Sequence, residues 1–348
     1  MLRPLTQSNP HNRWQSARVE YDLGEAPQQS LQVYVDDTAS ILAENQSPDI
    51  PFRFSLNPYR GCAHGCAYCY ARPAHEYLGF GSGTDFERKI VTKPRAAELL
   101  RTAFERDSWQ GDCLMLSGNT DCYQPLEAEL ELTRQCLEVC VEYRNPVHLI
   151  TKSALIERDF DLLQQLHEHA SVGVTVSVTF WDPDVARAIE PYAPTPARRI
   201  EIIRRLALAN ISVAVNVAPL IPGLSDRDLI QILQAARDAG AISANAILLR
   251  LPGSTATVFS DRLREALPTR ADKTLALTRE MHGGRLNDPR FHSRMSGEGC
   301  YAAALVAMFE STANRLGFGE LPSPRNTFCR PRSTRQLELF DDAVNKSS

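Results

Sequence analysis

From Phe52 onward, short apolar runs alternate with longer stretches in which apolar positions recur every three or four residues. The runs read as strands at Phe52–Leu56, Cys113–Leu116, Val147–Thr151, Val172–Val178, Ile211–Val217 and Asn245–Leu251, and the stretches as helices at Pro94–Phe104, Glu127–Tyr143, Asp159–His169, Ala197–Ala209 and Asp226–Ala239. Punctuation supports the helices. Thr195-Pro196 reads as an N-cap followed by proline at the first helical position. Ser225 reads as the cap of the next helix, with Asp226 and Asp228 in its first turn, and Gly240 closes it.

Six strands alternating with helices predict an α/β fold with a parallel sheet and right-handed crossovers. Curled, this is a partial six-stranded (β/α)6 barrel, and such folds gather their chemistry at the C-terminal strand ends. The core spans residues 51–255. Residues 1–50 form an N-terminal extension with a strand-like stretch at Leu31–Val35 and a helical one around Ala39–Glu44. Residues 256–320 form a helical C-terminal region, with helices at Ser260–Ala266, Lys273–Met281 and Tyr301–Leu316. A Gly- and Arg-rich loop, Gly283–Gly299, separates the last two. From Leu321 to residue 348 the chain turns Pro-, Arg- and Ser-rich, and disorder is expected.

Composition changes this picture little. The 348 residues are 43% hydrophobic and 23% charged, an ordinary soluble balance, and the formal net charge of -4 does not favour a general nucleic-acid binder. No apolar run reaches the ~18 residues that span a bilayer. Met1–Trp14 is polar and lacks a secretory signal's apolar segment, so a cytoplasmic protein with no membrane partner is expected. Its nine cysteines then read as metal ligands, catalysts or core thiols rather than disulfides.

The strongest signal stands directly after the first predicted strand: Asn57-Pro58-Tyr59-Arg60-Gly61-Cys62-Ala63-His64-Gly65-Cys66-Ala67-Tyr68-Cys69-Tyr70. Its three cysteines are spaced C-x3-C-x2-C, with no fourth at motif spacing. Thiolates are soft ligands that select iron–sulfur clusters or zinc. A structural zinc site closes with four ligands, so zinc requires a fourth such as His64 or His75. A cubane held by three cysteines leaves one iron open.

With Tyr68 as its aromatic, this loop resembles the signature of the radical-SAM superfamily. The resemblance implies a [4Fe-4S] cluster on Cys62, Cys66 and Cys69, S-adenosyl-L-methionine on the open iron, and a 5′-deoxyadenosyl radical made after reduction by a partner such as flavodoxin or ferredoxin. It also gives the other strand ends a meaning. Ser117, Gly118 and Asn119 stand where the family carries a turn contacting the methionine amino group, although they depart from its common Gly-Gly-Glu form. Lys152 suits the cofactor's carboxylate, Ser177 and Thr179 its ribose, and the segment Ala218–Leu224, with Pro219, its adenine side.

Residues Asn57–Glu76, Thr120–Glu127 and Thr151–Ser153 are similar to the branch related to spore photoproduct lyase, the DNA repair photolyase group, and Gly283–Gly299 extends the likeness to an uncharacterised subfamily. This implies a radical enzyme acting on a damaged or modified nucleic-acid base, with DNA as a partner. The branch uses a cysteine as hydrogen-atom donor, for which Cys122 is the candidate; the competing reading is a small thiol in a turn. In the tail, Gln336, Leu337, Leu339 and Phe340 resemble the peptide with which bacterial DNA-processing proteins dock on the sliding clamp. Two rivals remain: radical chemistry on a protein or small molecule, and a non-catalytic metal-binding tether.

Overall fold

The computed structural model describes residues 31–331. Ten strands follow in chain order: β1 (Gln32–Val35), β2 (Leu42–Glu44), β3 (Phe54–Leu56), β4 (Tyr59–Arg60), β5 (Lys89–Thr92), β6 (Leu114–Leu116), β7 (Val147–Thr151), β8 (Val172–Ser177), β9 (Ser212–Leu220) and β10 (Ser243–Leu248). The main sheet runs β10-β9-β8-β7-β6-β3-β2. Every neighbouring pair from β3 to β10 is parallel, and β2 adds antiparallel to β3. The six expected parallel strands are therefore present, joined by helices as crossovers, and their order along the sheet is their order along the chain. A small second sheet, β1-β5-β4, takes in the strand-like stretch expected at Leu31–Val35 as β1, while β4 and β5 lie outside the expected set.

Alternation along the strands explains the layering. Val174 and Val176 of β8 and Val213, Val215 and Val217 of β9 join the main apolar core with Leu137, Leu163, Ile203 and Ile232 from the crossover helices. The opposite face carries small or polar side chains in register: Thr175 beside Ala214, and Ser177 beside Asn216 beside Asn245. Each of these strands thus presents one face to the crossover helices and a small or polar face to the other side of the sheet.

Several boundaries differ from the sequence reading, each for a local reason. Ala39–Glu44 is not helical, because Leu42–Glu44 pairs with β3 instead. The helix expected over Glu127–Tyr143 breaks into Glu127–Leu130 and Leu132–Glu142 at Glu131, which sits in the left-handed region at φ 52°. Thr195 does cap its helix, accepting from Arg198 N. Ser225 does not: its hydroxyl accepts from Ile221 N, and a 3-10 turn over Asp226–Asp228 precedes the helix Leu229–Asp238. The disorder expected from Leu321 does not begin there. Residues 321–331 cross the end of the sheet opposite the cysteine loop, with Thr327 Oγ1 donating to the Arg144 carbonyl at 2.8 Å and Phe328 packed on Phe104 and Tyr143. Gln336, Leu337, Leu339 and Phe340 lie outside the described residues.

Candidate cofactor site at the strand ends

The cysteine loop leaves β3, forms the short strand β4 and turns back over the C-terminal end of the sheet. Two glycines make the turn possible. Gly61 has φ 80°, and a Cβ there would meet His75 Cε1 and the Phe86 carbonyl oxygen at 2.9 Å; Gly65 has φ 68°, with Tyr192 Cδ2 3.1 Å from where its Cβ would stand. Cys62 and Cys66 are buried and Cys69 is half-buried.

The loop is held from inside by Arg72, which is fully buried. Its Nε donates to the Cys66 carbonyl at 2.9 Å, Nη1 to Ser82 O at 2.8 Å and Gly83 O at 2.9 Å, and Nη2 to Gly65 O at 3.1 Å and Glu87 Oε1 at 2.6 Å. Every N–H a guanidinium offers is thus used. On the opposite side, the Gln124 side-chain amide accepts from Ala63 N at 3.1 Å and donates to Gly61 O at 3.2 Å. Both ends of the C-x3-C segment are therefore fixed before any metal arrives.

Burial raises all three thiol pKa values. Cys66 is pushed up to about 11, with the Lys152 charge offsetting part of the effect, and Cys62 is raised well above its ordinary value by burial and then by Asp121. Burial thus favours the protonated thiols, and metal binding must displace those protons. Among the described residues no three His, Cys, Asp or Glu side chains converge closely enough to hold a single ion. A cubane does not require that convergence, since each thiolate binds a different iron. Three thiols on a rigid loop beside a lysine fit such a group. His75 is engaged elsewhere, its Nε2 2.9 Å from the Lys89 carbonyl. His64 Nδ1 lies 3.5 Å from Asp121 Oδ2.

A second group of side chains faces Cys66. Lys152, at the end of β7, places Nζ 3.7 Å from Cys66 Sγ, 3.3 Å from the Tyr68 hydroxyl and 3.6 Å from Glu190 Oε1. Tyr68 donates to Glu190 and shares a 3.2 Å contact with Thr179 Oγ1. Glu190 is also bound by buried Arg199, which reaches back to the Ser177 carbonyl at 3.3 Å. Burial works against the Glu190 charge, but Arg199 and Lys152 hold its carboxyl down at about 2. Lys152 is also fixed through its backbone: its N–H donates to Asp121 Oδ2 at 3.0 Å, while Thr151 Oγ1 donates to Asp121 Oδ1 at 2.7 Å. Burial opposes the Asp121 charge too, and the His64, Thr151 and Lys152 contacts bring its carboxyl down to about 2.

The turn after β6 forms a third group. Ser117 is in the left-handed region at φ 76°, a conformation that non-glycine residues rarely adopt outside constrained sites. Asn57 Oδ1 accepts from Asn119 N at 2.9 Å and Thr120 N at 3.2 Å, and the Tyr70 hydroxyl donates to Gly118 O at 2.7 Å.

The structure therefore brings Cys66, Tyr68, Lys152 and Thr179 together, and ties Ser117–Asn119 to the cysteine loop through Asn57 and Tyr70. Ser177 takes part through its backbone carbonyl, and Pro219 is half-buried near the end of β9. Cys122, expected at the mouth, is 1% exposed and belongs to the main apolar core, its carbonyl accepting from Thr133 Oγ1 at 2.7 Å. Tyr59 and Tyr123 are fully buried, whereas Tyr70 is half exposed. Arg290 and Arg294 in the Gly283–Gly299 loop are internally paired, with Asp288 and Glu298 and with Asp49 respectively. Sequence reasoning missed Arg72, Glu190, Arg199 and Asp121 as parts of the site. Arg72 and Asp121 lie within segments already singled out by their family likeness, whereas Glu190 and Arg199 carry only the signal of a charged residue in an otherwise apolar context.

Comparison with known proteins bears on the family and the fold. The family model described as "Radical SAM superfamily" matches residues 56–236, just over half the chain. An uncharacterised protein of Mycobacterium tuberculosis is 38% identical over 221 residues, covering 63% of this chain and 65% of the relative. One from Methanocaldococcus jannaschii is 27% identical over 178 residues, covering 51% and 64%. The chain thus matches somewhat less than two thirds of the length of these relatives. Among solved structures, spore photoproduct lyase complexed with dinucleoside spore photoproduct superposes with a TM-score of 0.58 at 16% identity, over 82% of this chain and 78% of that one. A mutant of the same enzyme with bound AdoMet and dinucleoside spore photoproduct gives 0.55 at 17% identity, over 82% and 78%. At such identities the likeness is one of fold.

Proposed function

The chain belongs to the radical SAM superfamily, and from that premise we propose that it acts on a damaged or modified base of a nucleic acid, with Cys62, Cys66 and Cys69 as cluster ligands. The family implies a [4Fe-4S] cluster, S-adenosyl-L-methionine and an external reductant such as flavodoxin or ferredoxin. Bound and reduced, these supply a hydrogen-abstracting 5′-deoxyadenosyl radical.

The protein's own contribution is to orient and to shield. Arg72 and Gln124 hold the cysteine loop in one shape. Lys152 offers its ammonium beside Cys66, where the cofactor's carboxylate would lie, and Glu190, itself held by Arg199, keeps that ammonium from swinging away. Ser117, Gly118 and Asn119 line the side expected to receive the amino group, and Thr179 and the Pro219 segment line the side expected to receive the nucleoside. Small or polar residues lie in register along the inner faces of β8 and β9.

The observation that carries the reading is the buried, Arg72-pinned loop of three thiols set against Lys152 at the strand ends. The choice of a nucleic acid is supported by the repair-enzyme likeness in fold and by the half-exposed Tyr70 beside the loop. Its test is substrate-stimulated cofactor cleavage. Reconstituted, reduced protein is expected to form 5′-deoxyadenosine faster with ultraviolet-irradiated oligonucleotide than with intact oligonucleotide, peptide or free nucleoside. Equal rates with all four would remove the nucleic-acid assignment. Docking of Gln336, Leu337, Leu339 and Phe340 on a sliding clamp is part of the same proposal; purified clamp should bind the tail peptide better than a Gln336→Ala, Phe340→Ala version. Cys122 as the hydrogen donor has less support, since a donor must reach the product radical and its thiol lies in the core.

A further inference from the structure

Arg250 lies two residues past the end of β10, at the same end of the sheet as the cysteine loop. The segment after it is locked to that loop: Thr255 Oγ1 donates to the Cys69 carbonyl at 3.2 Å, and a Cβ on Gly253 would stand 3.4 Å from Pro73 Cγ. On its other side lies the Gly283–Gly299 loop, where Met295 Sδ accepts from Arg250 Nη1 at 3.3 Å. A thioether is a weak acceptor for a guanidinium. Arg250 Nε is buried with no partner, and among the described residues no carboxylate forms a salt bridge with this side chain.

The groups that face Arg250 do not neutralise it. They are Arg294, Tyr70 and Asp49. Arg294 carries the same charge. Asp49 is already committed, since its carboxylate pairs with Arg294 and accepts from His292 N at 2.8 Å. Tyr70 donates its hydroxyl to Gly118. Burial and then Arg294 disfavour the Arg250 charge. A half-buried cation in this position is costly until an anion completes it.

We propose that Arg250 is an anion-binding residue on the substrate side of the mouth and that it takes a phosphodiester group of the nucleic acid. The inference rests on the reading given under Proposed function. A guanidinium suits the role, because its fork of donors matches two phosphate oxygens. The cofactor's carboxylate is the other anion available, but Lys152 already serves that position from β7. Two strands stand between β7 and β10, which puts their ends roughly 14 Å apart along the sheet. One carboxylate does not bridge that distance.

The test compares wild type, Arg250→Gln and Arg250→Lys in the full-length, reconstituted protein. Binding of a short fluorescent oligothymidylate is titrated across a salt series, S-adenosylmethionine binding is measured by equilibrium dialysis, and melting curves verify folding. Arg250→Gln is expected to weaken oligonucleotide binding about tenfold and to lower the slope of log K against log salt by about 0.7, the share of one phosphate on a single strand. Arg250→Lys retains the slope, and cofactor affinity stays the same in both variants. A slope unchanged in Arg250→Gln, with wild type still binding, overturns this inference and leaves the nucleic-acid reading standing. Lost cofactor affinity places Arg250 on the cofactor and also overturns it. A wild-type protein that ignores the oligonucleotide at every salt concentration overturns the nucleic-acid reading itself, and the phosphodiester with it.

Discussion

Arg72 directs its donors to four backbone carbonyls and one carboxylate, all around the cysteine loop. Removing it leaves Glu87 buried and unpaired, and a broken buried ion pair costs about 3–5 kcal/mol. Arg72→Met is therefore expected to lower stability by that order in urea unfolding and to halve, or worse, the iron retained after reconstitution; Arg72→Lys should do little better, since an ammonium cannot span five acceptors. His148 acts through pH. Burial pushes its imidazole down to about 4, while its Nε2 stays 2.9 Å from Thr175 Oγ1. The unfolded chain takes up this proton near pH 6.5 and the folded chain only near 4, so the unfolded state binds more protons between those values. Stability should be fully present above about pH 6.5 and fall as pH drops toward 4. In His148→Gln the difference in melting temperature between pH 7.5 and pH 5 should shrink; an undiminished difference would show that other groups carry it.

Elements with a strong period were legible before the structure. The six parallel strands and their crossover helices follow from alternating runs of valine, isoleucine and leucine, and β7 matches its expected ends residue for residue. What was not legible has physical reasons. β4 and β5 are short, and they pair with each other and, through β5, with β1, outside the main sheet and without a pattern of their own. Ala39–Glu44 has helical composition but sits where β3 offers open backbone groups, and pairing wins over propensity. In the site, the cysteines were legible from spacing and the strand-end residues from topology. Glu190 and Arg199 were not, because Glu190 ends a helix and Arg199 lies inside one, and only the folded chain turns both toward Lys152. The stretch from Leu321 reads as disordered by composition, yet Phe328 stacks within 5.6 Å of Phe104 and 6.1 Å of Tyr143. Phe328→Ala should cost about 2 kcal/mol, below the toll for a fully buried ring, and leave cofactor binding intact, since this segment crosses the far end of the sheet. Lost cofactor affinity there would mean that the two ends are coupled.

At the scale of the whole molecule, the two ends of the sheet are treated differently. Residues 321–331 cover the N-terminal strand ends, while the cysteine loop, the β6 turn and the segment after β10 gather at the other. The sheet has open edges at β10 and β2. The Gly283–Gly299 loop reaches from one edge toward the other: Met295 meets Arg250 after β10, and Arg294 binds Asp49 and Ser47 after β2. No helix among the described residues is long and apolar enough to cross a membrane. Everything in the account depends on three thiols holding a redox cluster that opens onto S-adenosylmethionine. The most direct measurement is anaerobic reconstitution with iron and sulfide, reduction with dithionite, and assay for 5′-deoxyadenosine in wild type and Cys66→Ala. The account predicts 5′-deoxyadenosine from wild type and a loss of at least a hundredfold, about 2.7 kcal/mol of barrier, in the variant. A wild-type protein that retains zinc, or a cluster that never cleaves the cofactor, would contradict it.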